Sequence, residues 1–163
     1  MSIFISIASY QDPLLVSTIW SAYSNARNKE DLIFSICDQS DNPVKVGELP
    51  FAHQIKYDHV DPLFAKGPCW ARHRAQSFYA GEKYFLQIDS HTQFSPDWDI
   101  LFEDAFLKIA AMGEEDPYFK KPVITSYPRS FQVIDFEKGA FALNNGDKHT
   151  QVITYREDSI FSR

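Results

Sequence analysis

The chain has 163 residues, 44% of them hydrophobic and 23% charged, which is enough for one globular domain with a full apolar core. Its formal net charge is −6 at pH 7 and its longest basic run is Lys120-Lys121, so we expect no nucleic-acid partner. No apolar run approaches the ~20 residues of a membrane span, so we expect no such span. The start lacks the basic region of a signal peptide, and the two cysteines have no zinc spacing, so we expect a reduced, cytoplasmic protein.

The first third of the chain predicts a β–α–β unit. Residues Ile3 to Ala8 form a β-branched and aromatic run, and a second apolar run from Leu32 to Cys37 stops at Asp38. Between the two runs, apolar residues recur at helical spacing: Leu15, Ile19, Ala22 and Ala26. This arrangement predicts parallel strands that are buried on both faces.

The middle of the chain predicts a loop, a helix and another central strand. Residues 39–68 are loop-like, with one short strand near Ile55 to Tyr57. Gly67-Pro68 favours a helix from Cys69 to Ala80 that ends at Gly81, and Tyr84 to Ile88 predicts a strand ending at Asp89.

The last part predicts one long helix and several short strands. Ser95-Pro96-Asp97 is typical of a helix start with Ser95 as the N-cap, and Gly113 is placed to end the helix. Its expected buried stripe comprises Trp98, Phe102, Ala105, Ile109 and Met112. Further strands are expected at Pro122 to Ser126, Phe131 to Phe136 and Gln151 to Tyr155. The predicted fold is a single α/β domain over residues 1–163, with a mostly parallel central sheet and helices on both faces.

Three of the predicted strands end in polar residues. These ends are Ser9 to Asp12, Asp38, and Asp89 to His91. Ligands of open parallel sheets bind outside the carboxyl ends of the strands, so the three segments predict a ligand site.

Asp89 and His91 are the predicted metal ligands. In extended backbone, residues two apart project to the same side while Ser90 faces the opposite way, so the carboxylate and the imidazole reach the same ion. An oxygen and nitrogen pair suits a divalent cation, Mn²⁺ in preference to Mg²⁺, that would assist a departing nucleoside diphosphate as a Lewis acid. The alternative interpretation of Asp-x-His is an ordinary turn after a strand.

Two arginines on the preceding helix are candidates for binding phosphate. The guanidinium groups of Arg72 and Arg74 match the geometry of phosphate oxygens. For both arginines, the alternative is a position on a solvated helix face or a salt bridge to one of the many acidic residues.

Three segments together resemble a known family. ISIASYQDP at Ile5 to Pro13, GPCWAR at Gly67 to Arg72 and YFLQIDSH at Tyr84 to His91 resemble the cytoplasmic N-acetylglucosaminyltransferases of glycosyltransferase family 60, which modify hydroxyproline on the ubiquitin-ligase subunit Skp1. The Asp-Ser-His segment is also similar to the metal motif of the mucin-type polypeptide N-acetylgalactosaminyltransferases. Both families have the GT-A fold and use a UDP-sugar and a divalent cation with retention of configuration. Beyond Gly113 the resemblance fades.

The resemblance implies a role for individual residues. Asp89 and His91 would bind the metal, and Arg72 would contact the nucleotide or its diphosphate. Contacts with uridine would come from Ser9, Tyr10 and Asp12, and Asp38 lies where such folds often contact the base or ribose. The implied partners are a UDP-sugar donor, UDP-N-acetylglucosamine above all, and a hydroxyl acceptor on a protein or glycan.

The chain also departs from these families. Gln11 stands where the family is expected to have arginine, and the relatives are longer, with a third metal ligand and the acceptor groove in a later segment. Only His149 follows the motif, and a polar hairpin turn is its alternative interpretation. The chain is therefore expected to be truncated, minimal or degenerate.

Two other functions stay open at this point. One is an inactive or truncated nucleotide-sugar-binding module, and the other is a metal-dependent hydrolase that uses Asp89, His91 and the loop residues His53 and His59.

Overall fold

A computed structural model describes residues 2–115, 123–125, 129–135 and 140–143. The chain divides into two compact units, Met1–Phe102 and Glu103–Arg163. Within the described residues, no helix has the length and apolar character needed to cross a membrane.

The first unit is built on a parallel four-stranded sheet. Its strands are β1 (Ile3–Tyr10), β2 (Leu32–Gln39), β3 (Ile55–His59) and β4 (Tyr84–Asp89), in the order β3-β2-β1-β4. The chain moves outward from β1 through β2 to β3 and then returns to the other side of β1 to form β4. The direction of winding therefore reverses between β1 and β4, which is where ligands of such sheets bind.

Helices cover both faces of this sheet. The described helices are α1 (Leu15–Asn25), α2 (Pro68–Gln76) and α3 (Trp98–Glu115), of which α1 and α2 lie wholly in the first unit. On one face, Ser35 of β2 donates a hydrogen bond of 2.7 Å to the carbonyl of Ala75 in α2. On the other face, the ring of Phe34 in β2 lies 5.9 Å from that of Phe51, which stacks on Tyr23 of α1 at 3.8 Å. The predicted α/β class, with a parallel central sheet between helices, is confirmed.

The centre of the sheet is buried on both sides, as the apolar runs predict. The fully buried apolar side chains of the two central strands are Ile3, Phe4, Ile5, Ile7, Leu32, Phe34, Ile36 and Cys37. Burying each large side chain of this kind contributes about 1.5–3 kcal/mol. Burial raises the pKa of the Cys37 thiol to about 11, with the nearby carboxylate of Asp58 adding to the effect. Cys37 is therefore a neutral, apolar member of the core between β2 and α2.

Helix α2 is shorter than predicted. It ends at Gln76 and not at Ala80, because the backbone bonds beyond it join residues three apart, such as Phe78 to Ala75 and Tyr79 to Gln76. Tightening of this kind is common in the last turn of a helix. Gly81, with a φ of 98°, follows this turn.

The predicted start of α3 is wrong. The helix begins at Trp98, and Asp97 has a left-handed φ of 61°, so Ser95 is not the N-cap. A tertiary contact holds Asp97 there, because Arg27 donates two hydrogen bonds to its carboxylate, at 3.0 and 2.6 Å. The buried carboxylate of Asp99 accepts the backbone N–H groups of Arg27 and Asn28.

The predicted end of α3 is also wrong. The helix continues past Gly113 to Glu115. Trp98 is buried as expected, but Met112 is 52% exposed and does not belong to the buried stripe.

In the second unit, two strands form an antiparallel pair. They are β5 (Phe131–Asp135) and β6 (Ala140–Leu143), and the rings of Phe131 and Phe141 meet edge to face at 5.2 Å. The expected strand over Phe131 to Phe136 is confirmed as far as Asp135. Residues 123–125 form no strand, contrary to the prediction, while His149 and the predicted strand Gln151 to Tyr155 lie outside the described residues.

Candidate functional site

Strand register brings the three polar strand ends together. Ser9 at the end of β1 pairs with Asp38 of β2, and Ala8 pairs with Asp89 of β4. Neighbouring strands lie about 4.8 Å apart, so the segments form one continuous edge. The sequence-based expectation of a shared edge is confirmed.

A pocket of about 420 Å³ opens at this edge. It is lined by Ala8, Ser9, Tyr10, Gln39, Pro62, Ala65, Gly67 and Pro68. Tyr10 is 60% exposed and offers an aromatic face, while Gly67 and Pro68 belong to the start of α2. The volume and mostly apolar lining suit a small ligand with a flat ring.

Ser9 and Gln39 provide polar groups in the wall of this pocket. The amide nitrogen of Gln39 donates a hydrogen bond of 2.9 Å to the carbonyl of Ser9. The Ser9 hydroxyl and the Gln39 side-chain oxygen are buried without a partner among the described residues. Sequence reasoning missed Gln39, although its place directly after Asp38 on the predicted edge is the signal that would have found it.

Asp12 accepts three hydrogen bonds at the start of the β1–α1 connection. Its Oδ1 accepts the backbone N–H of Leu14 at 2.9 Å. Its Oδ2 accepts the Ser90 hydroxyl at 2.6 Å and Nδ1 of His91 at 2.9 Å. Burial acts to raise the pKa of Asp12, but the bonds from Ser90, His91 and Leu14 together hold it below the ordinary value. Asp12 is therefore ionised at neutral pH and can only accept hydrogen bonds.

His91 is held by this carboxylate. Because ionised Asp12 only accepts, Nδ1 of His91 carries the hydrogen of this bond, and Nε2 is the ring nitrogen that remains for another partner. The His91 side chain is 60% exposed. A carboxylate on one ring nitrogen is the usual support for a histidine that binds metal through the other.

Asp89 is paired with Arg72. The guanidinium of Arg72, on α2, lies 3.1 Å from Oδ1 of Asp89, whose side chain is 63% exposed. This ion pair matches the salt-bridge alternative for Arg72, and it places the guanidinium at the end of β4, where the sequence predicts diphosphate binding.

The structure corrects the geometric reasoning about Ser90. Strand β4 ends at Asp89, so Ser90 and His91 form a turn and the extended-backbone argument does not apply to His91. Ser90 is buried, but its hydroxyl contacts the same oxygen of Asp12 as His91 does. Asp89 and His91 therefore have partners on different connections, Arg72 in α2 and Asp12 before α1.

Two of the candidate residues make structural contacts. Asp38 is buried, and its Oδ2 accepts the hydroxyl of Tyr57 at 2.5 Å and the N–H of Val44 at 3.2 Å. Burial, reinforced by this bond to Asp38, raises the pKa of Tyr57. Arg74 forms a two-pronged salt bridge with Asp58, at 2.6 and 2.9 Å, which confirms the salt-bridge interpretation of that arginine.

The loop histidines differ in their place relative to the strand ends. His59, the last residue of β3, is the register partner of Asp38 and bonds the carbonyl of Ser40 at 2.8 Å, whereas His53 is exposed and precedes β3. In the part of the chain that the structure describes, no group of three or more histidine, cysteine or acidic residues is arranged to hold a metal ion.

Asp89 and His91, a carboxylate and an imidazole two residues apart, are groups of the kind that bind a divalent cation. The formal charges of Asp12, Asp38 and Asp89 (−3) and of Arg72 (+1) give the strand ends a net charge of −2. A bare diphosphate would be repelled by that charge, whereas a divalent cation would cancel it.

The fold and the edge together define a Rossmann-like α/β protein with a small-molecule pocket at the carboxyl ends of its strands. A family model described as Glycosyltransferase (GlcNAc) matches residues 42–152, which is more than half of the chain, and the chain belongs to this family. The matched stretch contains Arg72, Asp89 and His91, while Ser9 and Asp12 precede it. Neither the curated proteins nor the solved structures provide a significant match.

Proposed function

We propose that the protein is a metal-dependent glycosyltransferase that transfers N-acetylglucosamine from UDP-N-acetylglucosamine to a hydroxyl acceptor on a protein or glycan, with retention of configuration. Sugar transfer follows from the family. The donor, the metal and the stereochemistry are supported by the strand-end site and by the resemblance to family 60. The observation that carries the metal dependence is the hydrogen bond of 2.9 Å from His91 to Asp12, which leaves Nε2 free to bind a cation.

The pocket would take the uridine. Tyr10 would stack on the base, a contact worth about 1–3 kcal/mol. The unpartnered side-chain oxygen of Gln39 would accept a hydrogen bond from the base or ribose, whereas the Ser9 side chain faces the opposite side of the sheet from Ala8 and would contribute only backbone to the wall. Because Ala8 in the pocket wall is the register partner of Asp89, a diphosphate leaving the pocket along the edge reaches Arg72 and Asp89.

Asp89 and His91 would hold Mn²⁺. The bound ion would supply Lewis-acid neutralisation of the leaving diphosphate. Arg72 would pair with a phosphate oxygen, to which its planar guanidinium is suited. Asp12 would fix the orientation of His91, and this differs from the uridine contact that the resemblance implies for it. Asp38 does not line the pocket, and its bonds to Tyr57 and Val44 would hold the loop after β2 in place.

No residue of the chain is assigned as a general base. In a retaining reaction, the leaving diphosphate itself takes the proton of the acceptor hydroxyl. The chain would then contribute orientation and charge and would not exchange a proton itself.

Calorimetric titration with UDP, with and without Mn²⁺, tests the binding part of the proposal. Wild-type protein should bind UDP more tightly with Mn²⁺, and Asp89→Ala or His91→Ala should abolish the metal-dependent part. Both side chains are at least 60% exposed, so the variants should fold normally. Glu30→Ala and His53→Ala, at exposed positions that precede strands β2 and β3, are matched controls.

Equal affinity with and without Mn²⁺ in wild type and both site variants would count against the metal site. Release of N-acetylglucosamine from UDP-N-acetylglucosamine, measured with radiolabelled donor, tests the chemical part. UDP binding without any hydrolysis or transfer would favour a nucleotide-sugar-binding module.

A further inference from the structure

Gln11 combines a strained backbone with an unusually well-held side chain. Its φ is 49°, in the left-handed region that glycine adopts freely and glutamine does not. Strain at a non-glycine residue persists only where surrounding contacts enforce it. The contacts of Gln11 therefore indicate the structural role of its left-handed conformation.

Three hydrogen bonds hold Gln11 against the end of β2. Its backbone N–H donates to the carbonyl of Gln39 at 3.1 Å. Its side-chain nitrogen donates to Oδ2 of Asp41 at 2.6 Å, and its side-chain oxygen accepts the N–H of Asp41 at 3.2 Å. A glycine would adopt the same φ without strain, but it would lose both contacts with Asp41.

The neighbours of Gln11 are both parts of the strand-end site. Tyr10, the residue before it, lines the pocket, and Asp12, the residue after it, holds His91. The conformation of Gln11 therefore sets the direction in which the chain leaves β1 and the position of the Asp12 carboxylate relative to His91.

We propose that Gln11 and Asp41 form a clamp that positions Tyr10 and Asp12, and through Asp12 the ring of His91, for binding the donor and its cation. The identity of the donor and the cation in this inference rests on the proposed function. The orientation of the His91 ring does not depend on it. Gln11 is a positioning residue and touches no reacting atom.

The first test needs no ligand. Nitrogen-15 NMR of the His91 ring reports which ring nitrogen carries the hydrogen. Wild type should show a single tautomer with hydrogen on Nδ1, bonded to Asp12. Gln11→Ala removes both contacts with Asp41 and should give a mixture of tautomers. Asp41→Asn keeps an acceptor oxygen and the backbone N–H, so it should resemble wild type.

The second test measures UDP affinity in the presence of Mn²⁺. Gln11→Ala should weaken it about fivefold, the effect of losing roughly one net hydrogen bond. Gln11→Glu places a carboxylate opposite that of Asp41 and should weaken it further, whereas Asp41→Asn should stay within about twofold of wild type. Gln76→Ala, at an exposed glutamine at the end of α2, is the matched control.

Urea unfolding of each variant separates positioning from stability. A loss of stability with an unchanged His91 tautomer and unchanged UDP affinity in both Gln11 variants would overturn the inference. If wild type fails to bind UDP with Mn²⁺, the proposed function is wrong. The inference about the clamp is then still tested by the His91 tautomer, which should become a mixture in Gln11→Ala.

Discussion

Asp12 connects the first strand with the turn after β4. Its side chain is only 15% exposed and accepts bonds from Ser90, His91 and Leu14. Bonds to a buried charged group contribute about 1.5–3 kcal/mol each, so this carboxylate stabilises both the fold and the orientation of His91.

The pH dependence of stability should reveal this role. Folding lowers the pKa of Asp12 below its ordinary value of 3.8. Its contribution to the free energy of unfolding is therefore complete above 3.8 and is lost as the pH falls through the lower, folded-state pKa. We expect Asp12→Asn to be about 1–2 kcal/mol less stable than wild type at pH 7, with the gap closing below that ordinary value.

Urea unfolding from pH 7 down to the acid limit of folding provides the measurement. Asp104→Asn, at an exposed position of α3, is the control for general charge effects. If the difference in the free energy of unfolding between wild type and Asp12→Asn stays constant over this pH range, the stabilising role of the Asp12 carboxylate is contradicted.

Single residues show where sequence reasoning about the site stops. The pattern of Asp89, Ser90 and His91 after an apolar run was recognisable because both features are local. The prediction that this strand is central is wrong: β4 lies at the end of the four-stranded sheet, and Phe85 is 39% exposed. The bonds from His91 to Asp12 and from Gln39 to Ser9 join residues 79 and 30 positions apart. Such pairs depend on strand register and loop conformation, which one sequence does not reveal.

At the scale of elements, the loop between β2 and β3 is fixed by one buried ring. Phe51 is fully buried and stacks on Tyr23 of α1 at 3.8 Å between ring centroids. It also meets Trp20 edge to face at 5.3 Å and Phe34 of β2 at 5.9 Å. This cluster ties the loop to α1 and to the sheet.

Phe51→Ala should be strongly destabilising. Removing a buried phenylalanine leaves a cavity and typically costs 3–5 kcal/mol, and we expect about that loss in urea unfolding. Phe64→Ala, at a ring that is 68% exposed, should change stability by less than about 0.5 kcal/mol. A loss below about 1 kcal/mol in Phe51→Ala would show that the loop contributes little to the core.

The elements also show which boundaries a sequence can give. Strands β1, β2 and β4 were predictable because each is a continuous apolar run, and α1 because its apolar residues recur at helical spacing. The start of α3 was not predictable, because Arg27, 70 positions away, holds Asp97 in a left-handed conformation and overrides the local preference for a cap at Ser95.

At the scale of the whole molecule, the order of the strands determines where a ligand acts. The pocket touches β1, β2 and the start of α2, and the proposed cation ligands lie at and just after the end of β4, on the other side of β1. A nucleotide bound along this edge would contact the central strand, its neighbours and α2 at once. Its binding energy should therefore add to the stability of the whole parallel sheet.

Thermal unfolding should show this coupling directly. A ligand at 100 times its dissociation constant stabilises the folded state by about 2.7 kcal/mol. For a domain of this size, each kcal/mol raises the midpoint by about 2–4 °C, so UDP with Mn²⁺ should raise it by about 5–10 °C. UDP alone should give a smaller shift, because the strand ends carry a formal net charge of −2. In His91→Ala, Mn²⁺ should add nothing to the effect of UDP. AMP with Mn²⁺ is the control for nonspecific nucleotide binding, and an equal shift with AMP would show that the pocket does not select uridine.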